Sequence, residues 1–314
     1  MQEHLKAGVI GVGTMGINHA RIYAELPGVQ LVGVADINEQ QVRSVAERYG
    51  CQAYKDYRGL FEKDLHLVSI VVPTTMHYEV ASYAIERKVN VLIEKPVAQS
   101  LEQVDLLLEA ASKNNVKVMV GYIERFNPVV SKLKELIKQG MLGEVISLSA
   151  KRVGPYNPRI RDVGIILDLG THDIDVMSYL SGSPVKRVYA VAGSIFHNHE
   201  DHAIITLVFK NGTSGVIDTN WLTPHKLRKL TVVGSKGIAE IDYQEMSLKL
   251  FDREWIREGK IEQKEPLKCE LEHFLDCVRF NKEPLVGLKE GRHSLAVALA
   301  AVQSAKIGKV CDIQ

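Results

Sequence analysis

The chain has no long apolar run. None of its 314 residues belongs to anything near the roughly 20 consecutive apolar positions that a membrane helix needs, which excludes a helical span. It also lacks charge of one dominant sign. Lys and Arg number 39 against 38 acidic residues, and the net charge of +1 is dispersed. No global basic field is left to recruit nucleic acid or acidic membrane. Cysteine is scarce: Cys51, Cys269, Cys277 and Cys311 lack C-x-x-C spacing and read as reduced, mostly structural thiols of a cytosolic protein. Repeats, low-complexity tracts and an obvious flexible linker are missing as well. Met1-Gln2-Glu3-His4 enters a strand almost at once, which leaves no room for a signal peptide.

What is present begins near the N-terminus. Ala7-Gly8-Val9-Ile10 is short and apolar, like a buried parallel strand, and runs into Gly11-Val12-Gly13-Thr14-Met15-Gly16. A helix-like stretch (17–26), a second strand (31–35) and Asp36 follow. In a G-x-G-x-x-G turn the first glycine permits the sharp bend. The second lets backbone approach a pyrophosphate, and the third lets the helix pack on the strand. The helix N-terminus adds free N–H groups and the positive end of its dipole. An acid about 20 residues after the motif suits the hydroxyls of an adenosine ribose. No arginine adjoins Asp36 to receive a 2′-phosphate, so NAD is favoured over NADP. The competing account makes Asp36 a cap for a helix over 38–49.

Periodicity divides the chain. Up to residue 121, candidate strands (8–10, 31–35, 67–72, 89–93, 117–120) alternate with helical stretches (19–26, 39–49, 77–87, 101–114). This predicts a parallel, doubly wound α/β sheet, a dinucleotide-binding Rossmann domain over 1–121. From 122 to 314 the pattern changes. Helices over 128–139 and 171–181 and long strands (145–153, 185–193, 203–209, 215–221, 229–233, 238–242, 247–251) predict an α+β domain with a large, mainly antiparallel, open-faced sheet. Closing helices follow over 266–281 and 287–306. Asn211-Gly212 is a hairpin signal. Such a sheet, open on one face, predicts a homodimer or homotetramer.

Two stretches carry chemistry. Glu94-Lys95-Pro96 follows a predicted core strand. This sets Lys95 at the carboxyl edge of the sheet, out of helical dihedrals because a proline follows it. From there an ammonium can hydrogen-bond the oxygen of a reacting carbon; otherwise Lys95 is a surface lysine at a strand end. Asp168-Leu169-Gly170-Thr171-His172-Asp173 reads as a helix start with Thr171 as N-cap. His172 at a helix N-terminus would be held neutral, fit to act as a base, with Asp168 to orient the ring. The plainer account is a cap with a packed histidine.

Taken together, these residues resemble the glucose–fructose oxidoreductase/inositol dehydrogenase (Gfo/Idh/MocA) family over nearly the whole chain. The resemblance implies catalytic roles for Lys95, Asp168 and His172. It also implies that Pro73, Thr74, His77 and Glu94 border the cofactor beside Gly11, Gly13, Thr14, Met15, Gly16, Asp36 and Lys95. One departure is Val163-Gly164-Ile165-Ile166-Leu167, where family members often have paired glycines. The expected chemistry is oxidation of a secondary alcohol on a sugar-like ring by NAD. His172 takes the hydroxyl proton, Lys95 steadies the oxygen and Asp168 holds His172.

For the substrate, Tyr122, Arg125 and Asn127 at the domain junction, then Arg152, Tyr156, Arg159 and Arg161, suggest a pocket mouth rich in arginine. That suits an anionic substrate. The pattern looks like the family's nucleotide-sugar 3-dehydrogenases, which oxidise a UDP-N-acetylglucosamine-type sugar at C3. The alternatives are a polyol/inositol or free-sugar dehydrogenase, an NAD-using glycosidase, and a non-catalytic NAD-binding regulator. Against the regulator stand Lys95, Asp168 and His172 together, and no basic helix pair for DNA is evident. His197, His199 and His202 fall in a predicted hairpin loop without standard ligand spacing, so no metal is expected.

Overall fold

The structure, a computed structural model, describes residues 4–156 and 163–313. It forms two compact units. One runs to Tyr122 and takes in Leu267–Arg292; the other comprises Ile123–Pro266 and the chain from His293.

In the first unit β1 (Leu5–Ile10), α1 (Thr14–Glu25), β2 (Val29–Ala35), α2 (Glu39–Tyr49), β3 (Gln52–Tyr54), β4 (Leu67–Ile70), α3 (Thr74–Glu86), β5 (Asn90–Glu94), α4 (Leu101–Asn114) and β6 (Val118–Gly121) alternate. The sheet order is β3-β2-β1-β4-β5-β6, and every pairing is parallel. Its central strands are mainly apolar because helices cover both faces: Val9, Val68, Ile70, Leu92 and Ile93 are fully buried. Helix limits follow side-chain chemistry. Asn38 caps α2 by accepting from Gln41 N, and Gly50 ends it in the left-handed region. Ser100 caps α4 in the same way. Strand order reverses between β1 and β4, where this architecture binds ligands at the strands' carboxyl ends.

The second unit contains α5 (Pro128–Lys138), β7 (Val145–Pro155), α6 (Thr171–Ser181), β8 (Val185–Gly193), β9 (His202–Phe209), β10 (Ser214–Asn220), β11 (Leu222–Gly234), β12 (Gly237–Asp242), β13 (Ser247–Phe251) and β14 (Ile256–Glu258). In chain order there follow α7 (Pro266–Arg279), which from Leu267 on belongs to the first unit, α8 (Leu288–Ile307), which enters the second unit at His293, and β15 (Cys311–Asp312). Nine strands in the order β14-β13-β12-β11-β7-β10-β9-β8-β15 make one sheet, antiparallel except for β7 beside β10. The Asn211-Gly212 turn joins β9 to β10, with Gly212 at φ 90°. One face of the sheet (Leu148, Ala150, Ile205, Leu207, Ile217, Leu230, Val232) packs against Ile174, Met177 and Leu180 of α6 and Val297 and Ala301 of α8. The opposite face exposes Val191, Ile204 and Val216.

The expected division at 121/122 lies one residue from the observed one, but the C-terminal part needs correction. Leu267–Arg292 belongs to the first unit. There it covers the free edge of β6: Val120 N–H donates to Val286 O at 2.9 Å and Met119 bridges Gly287. Arg292 clamps Asp105 of α4 through Nε at 2.6 Å and Nη2 at 3.0 Å. An uncovered strand edge invites pairing with other chains, and this segment closes it.

Candidate functional site

The Gly11–Gly16 turn lies at the carboxyl end of β1. Gly11 has φ +86°, and a Cβ there would sit 2.5 Å from Val71 O. At Gly16 a Cβ would fall 1.8 Å from Gly11 O, so only glycine lets α1 approach the strand this closely. Gly13 differs: a Cβ there would meet nothing within 4 Å. The turn is therefore sealed beneath Gly11 and Gly16 and open above Gly13. α1 starts there without a side-chain cap and without an acidic residue in its first turn. Those features fit a pyrophosphate on the α1 N-terminus. Thr14 opens α1, and Met15 is partly exposed.

Asp36 follows β2 directly. Its Oδ2 accepts the Val12 N–H at 2.8 Å and its Oδ1 the Asn38 N–H at 2.9 Å. The carboxylate is thus aimed by backbone at the glycine turn, and the α2 cap is Asn38 instead. A cavity of about 590 Å³ is lined by Gly11, Gly13, Asp36, Tyr57, Pro73 and Met76. Pro73 is the residue before α3, and Thr74 opens that helix. Tyr57 and Met76 escaped the sequence reading. Tyr57 opens a 3-10 turn capped by Asp56, and its hydroxyl donates to Glu79 at 3.0 Å.

His77 does not offer its ring to a cofactor. It is 1 % exposed, with Nδ1 2.8 Å from Pro96 O and Nε2 2.9 Å from Val72 O. Burial pulls its pKa down. The ring is a brace between the ends of β4 and β5, and so holds the loop that carries Lys95. Glu94 ends β5 and Lys95 follows it, and the Lys95 N–H donates to Glu94 Oε2 at 3.2 Å.

In the second unit Thr171 is not a cap. A π-helical turn, Ile166–Gly170, precedes α6 without a break, and Thr171 Oγ1 donates back to Leu167 O at 3.0 Å. The helix-start argument for a neutral His172 therefore falls. What remains is spacing: Asp168 and His172, four apart on one helical run, share a face. Asp168 Oδ2 and His172 Nδ1 are both shielded from solvent.

The helix is anchored from its other side. Arg152 on β7 donates through Nε to Asp173 at 2.8 Å and through Nη1 to Glu124 at 2.8 Å. Burial works against the Arg152 charge, yet Asp173 and Glu124 hold its pKa well above the ordinary value. Arg125 grips Asp175 through Nε at 2.6 Å and Nη2 at 2.7 Å. Asn127 caps α5 and donates to Tyr243 O.

Four expected substrate contacts thus need correction. Tyr122, Arg125, Asn127 and Arg152 are 1, 6, 2 and 2 % exposed, and the three polar side chains are bound within the unit. Arg159 and Arg161 lie outside the described residues. Tyr156 stacks on His197 with centroids 3.7 Å apart and meets Trp221 edge-on. Arg228 on β11 was not anticipated. It is one-third exposed, 3.7 Å from Glu124 and within the field of Asp168. Burial first, then Arg152, pulls its pKa below the ordinary value.

His197 and His199 lie in a loop as expected, whereas His202 opens strand β9, with its Nδ1 2.9 Å from Asp201 Oδ1. Among the described residues no group of three or more His, Cys, Asp or Glu is placed to hold a metal. No helix among them is long and apolar enough to cross a membrane.

A parallel sheet of this order, a glycine turn open above Gly13 and an acid aimed at that turn define a dinucleotide-binding domain. Residues 5–122 match the GFO/IDH/MocA oxidoreductase family with NAD-binding Rossmann fold, and residues 130–240 match the GFO/IDH/MocA C-terminal domain. The chain belongs to this family and is an NAD-dependent oxidoreductase. It is 29 % identical to UDP-N-acetylglucosamine 3-dehydrogenase of Acidithiobacillus ferrooxidans over 94 % of this chain and 96 % of that one. The solved structure of that enzyme superposes with TM-score 0.91, covering 97 % of this chain and 98 % of that one. Myo-inositol 2-dehydrogenase of Thermotoga maritima is also 29 % identical, over 96 % of each. Scyllo-inositol 2-dehydrogenase (NAD(+)) of Bacillus subtilis is 28 % identical over 98 % of this chain and 96 % of that one.

Proposed function

We propose that the protein oxidises a secondary alcohol of a sugar-like substrate to a ketone. NAD, when bound, supplies the hydride acceptor. Gly11, Gly13, Thr14, Met15 and Gly16 hold its pyrophosphate, and Asp36 its adenosine ribose. Pro73 and Thr74 border it, and Glu94 accepts from the hydroxyls at its nicotinamide end. Lys95 donates to the alcohol oxygen and stabilises charge as it develops there. His172 receives the hydroxyl proton, and Asp168, four residues back on the same face, keeps the ring in one tautomer and stabilises its protonated form. The carrying observation is the cradle at Gly13, open where Gly11 and Gly16 on either side of it are packed against backbone.

The substrate we favour is a nucleotide sugar of the UDP-N-acetylglucosamine type, oxidised at C3. The reading rests on similarity along the whole chain. A second reading, an inositol or other polyol, gains from the burial of Arg125 and Arg152, which removes two of the cations an anionic substrate would use. NADH formation at 340 nm with UDP-sugars, inositols and free sugars, coupled to an aminotransferase that draws off the ketone, separates them. Lys95→Ala and His172→Ala should bind NAD nearly as the parent does and turn over about 10²–10⁴-fold more slowly. Full turnover in both variants ends this assignment.

Two further proposals concern assembly and location. The exposed Val191, Ile204 and Val216 on one sheet face suit burial against a second copy, in a dimer or tetramer. Sedimentation of Val191→Lys against the parent tests this. Four free cysteines, with Cys51 pushed up to about 11 by burial, fit a cytoplasmic protein.

A further inference from the structure

Inside the first unit, a line of polar groups crosses the core. His19 of α1 is fully buried, as are Tyr23, one turn later, and Ser69 of β4. Tyr23 Oη lies 2.9 Å from Ser69 Oγ, Ser69 Oγ lies 3.1 Å from His19 Nδ1, and His19 Nε2 lies 3.3 Å from Glu94 Oε1. Elementary donor rules orient the whole line. A carboxylate only accepts, so His19 Nε2 carries the proton and donates to Glu94. Nδ1 of a neutral ring must then accept, so Ser69 spends its hydroxyl proton on it. Ser69 Oγ in turn accepts from Tyr23. Burial, with Glu270 of α7 adding to it, raises the Tyr23 pKa far enough that the phenol keeps its proton. Every donor in the line points toward Glu94, and successive bonds of one sense polarise each other.

The carboxylate at the end of this line is confined on its other sides. Its Oε2 accepts the Lys95 N–H. A Cβ at Gly121 of β6 would lie 3.0 Å from Glu94 Cδ and 3.1 Å from both oxygens, so glycine there is what gives the carboxylate room. Three elements thus meet on one side chain at the carboxyl edge of the sheet: α1 through His19, β5 through its own backbone, and β6 through a missing side chain.

We infer that His19 is a positioning residue, which fixes the Glu94 carboxylate in the orientation that receives the hydroxyls at the nicotinamide end of the cofactor. The inference rests on the cofactor half of the function proposed above. It assigns His19 no contact with cofactor or substrate. Three consecutive features of α1 then serve one ligand: its N-terminus takes the pyrophosphate, Gly16 brings the helix against the strand, and His19, one turn on, reaches through to the next strand end but one.

Two substitutions separate positioning from packing. The Asn amide reaches about as far as Nδ1 of histidine and keeps the Ser69 bond, while the Gln amide reaches about as far as Nε2 and keeps the Glu94 bond. His19→Gln should bind NADH, followed by its fluorescence, within about threefold of the parent, whereas His19→Asn should weaken binding about tenfold, the loss of one hydrogen bond to a charge. Both should unfold at similar temperatures. Equal NADH affinity in the two variants, or an affinity loss that tracks the loss of thermal stability, overturns the inference. Should neither variant fold, Ser69→Ala decides: it leaves the ring in place but removes the donor that fixes its tautomer. Affinity should fall about threefold by the same arithmetic, and an unchanged value overturns the inference. The binding readout needs no sugar, so a chain that oxidises none of the sugars tried defeats the dehydrogenase reading and leaves this contrast to be judged alone.

Discussion

Gly13 and Gly16 stand three residues apart in one turn and answer to different demands, which makes them a direct test of the cradle. Gly13 sits at φ −68°, ψ −159°, backbone that any residue adopts, and an added methyl meets nothing within 4 Å. Gly13→Ala should therefore change folding stability by no more than about 0.5 kcal/mol. The new methyl does occupy the space where backbone must approach a pyrophosphate. Lifting that group off even one N–H forfeits a hydrogen bond to charge, about 1.5–3 kcal/mol, which is about 10–100-fold in NAD affinity. Gly16→Ala inverts the pattern. Its methyl would lie 1.8 Å from Gly11 O and 2.9 Å from Gly11 C, backbone atoms that have little room to yield. Overpacking of this kind costs about 1–3 kcal/mol or more. Urea unfolding gives the stability of each variant and calorimetry its NAD affinity. A Gly13→Ala protein that binds NAD like the parent, or that loses as much stability as Gly16→Ala, refutes the assignment of the cradle.

Arg152→Met leaves Asp173 and Glu124 as buried carboxylates without their guanidinium, and should cost about 3–5 kcal/mol in urea unfolding; a change below about 1 kcal/mol would show that the pair anchors nothing. Asp36→Ser removes the charge that repels a 2′-phosphate, so the ratio of NAD to NADP affinity should fall about tenfold or more, and an unchanged ratio rules out Asp36 as the selector. The hydrogen bond from Arg292 holds the Asp105 pKa below its ordinary 3.8. A depressed acid contributes stability above the unfolded value, which is lost as pH falls through the lower folded value. In Arg292→Ala the Asp105 carboxyl resonance should accordingly titrate at higher pH than in the parent; an unmoved midpoint contradicts the clamp.

Much of the first unit was legible because its signals are local. The glycine turn, Asp36 and the alternation of apolar strands with amphipathic helices each follow from neighbours within one βαβ unit. β3 was missed because Gln52–Tyr54 is three residues long and has no buried position to give it a pattern. The misreading of Thr171 has a similar origin. Thr before His-Asp looks like a cap, and a π turn leaves no signature in composition that would extend the helix backward. The arginines failed for another reason. Arg125 and Arg152 find Asp175 and Asp173 at sequence separations of 50 and 21, and a guanidinium bound for a buried carboxylate reads the same in sequence as one bound for a ligand. The allegiance of α7 was likewise hidden: an amphipathic pattern says that Leu271 and Phe274 will be buried, not which sheet will bury them.

The return of Leu267–Arg292 to the edge of β6 bears on how the molecule is made. A ribosome releases β6 almost 150 residues before it releases the strip that seals it. Throughout that interval a nascent nucleotide-binding half carries an open hydrogen-bonding margin, vulnerable to pairing with any neighbouring chain. Clipping the gene after residue 122 would freeze that vulnerable stage permanently. The first compact unit is therefore not a prefix of the sequence, but a prefix stitched to a short piece of its far end.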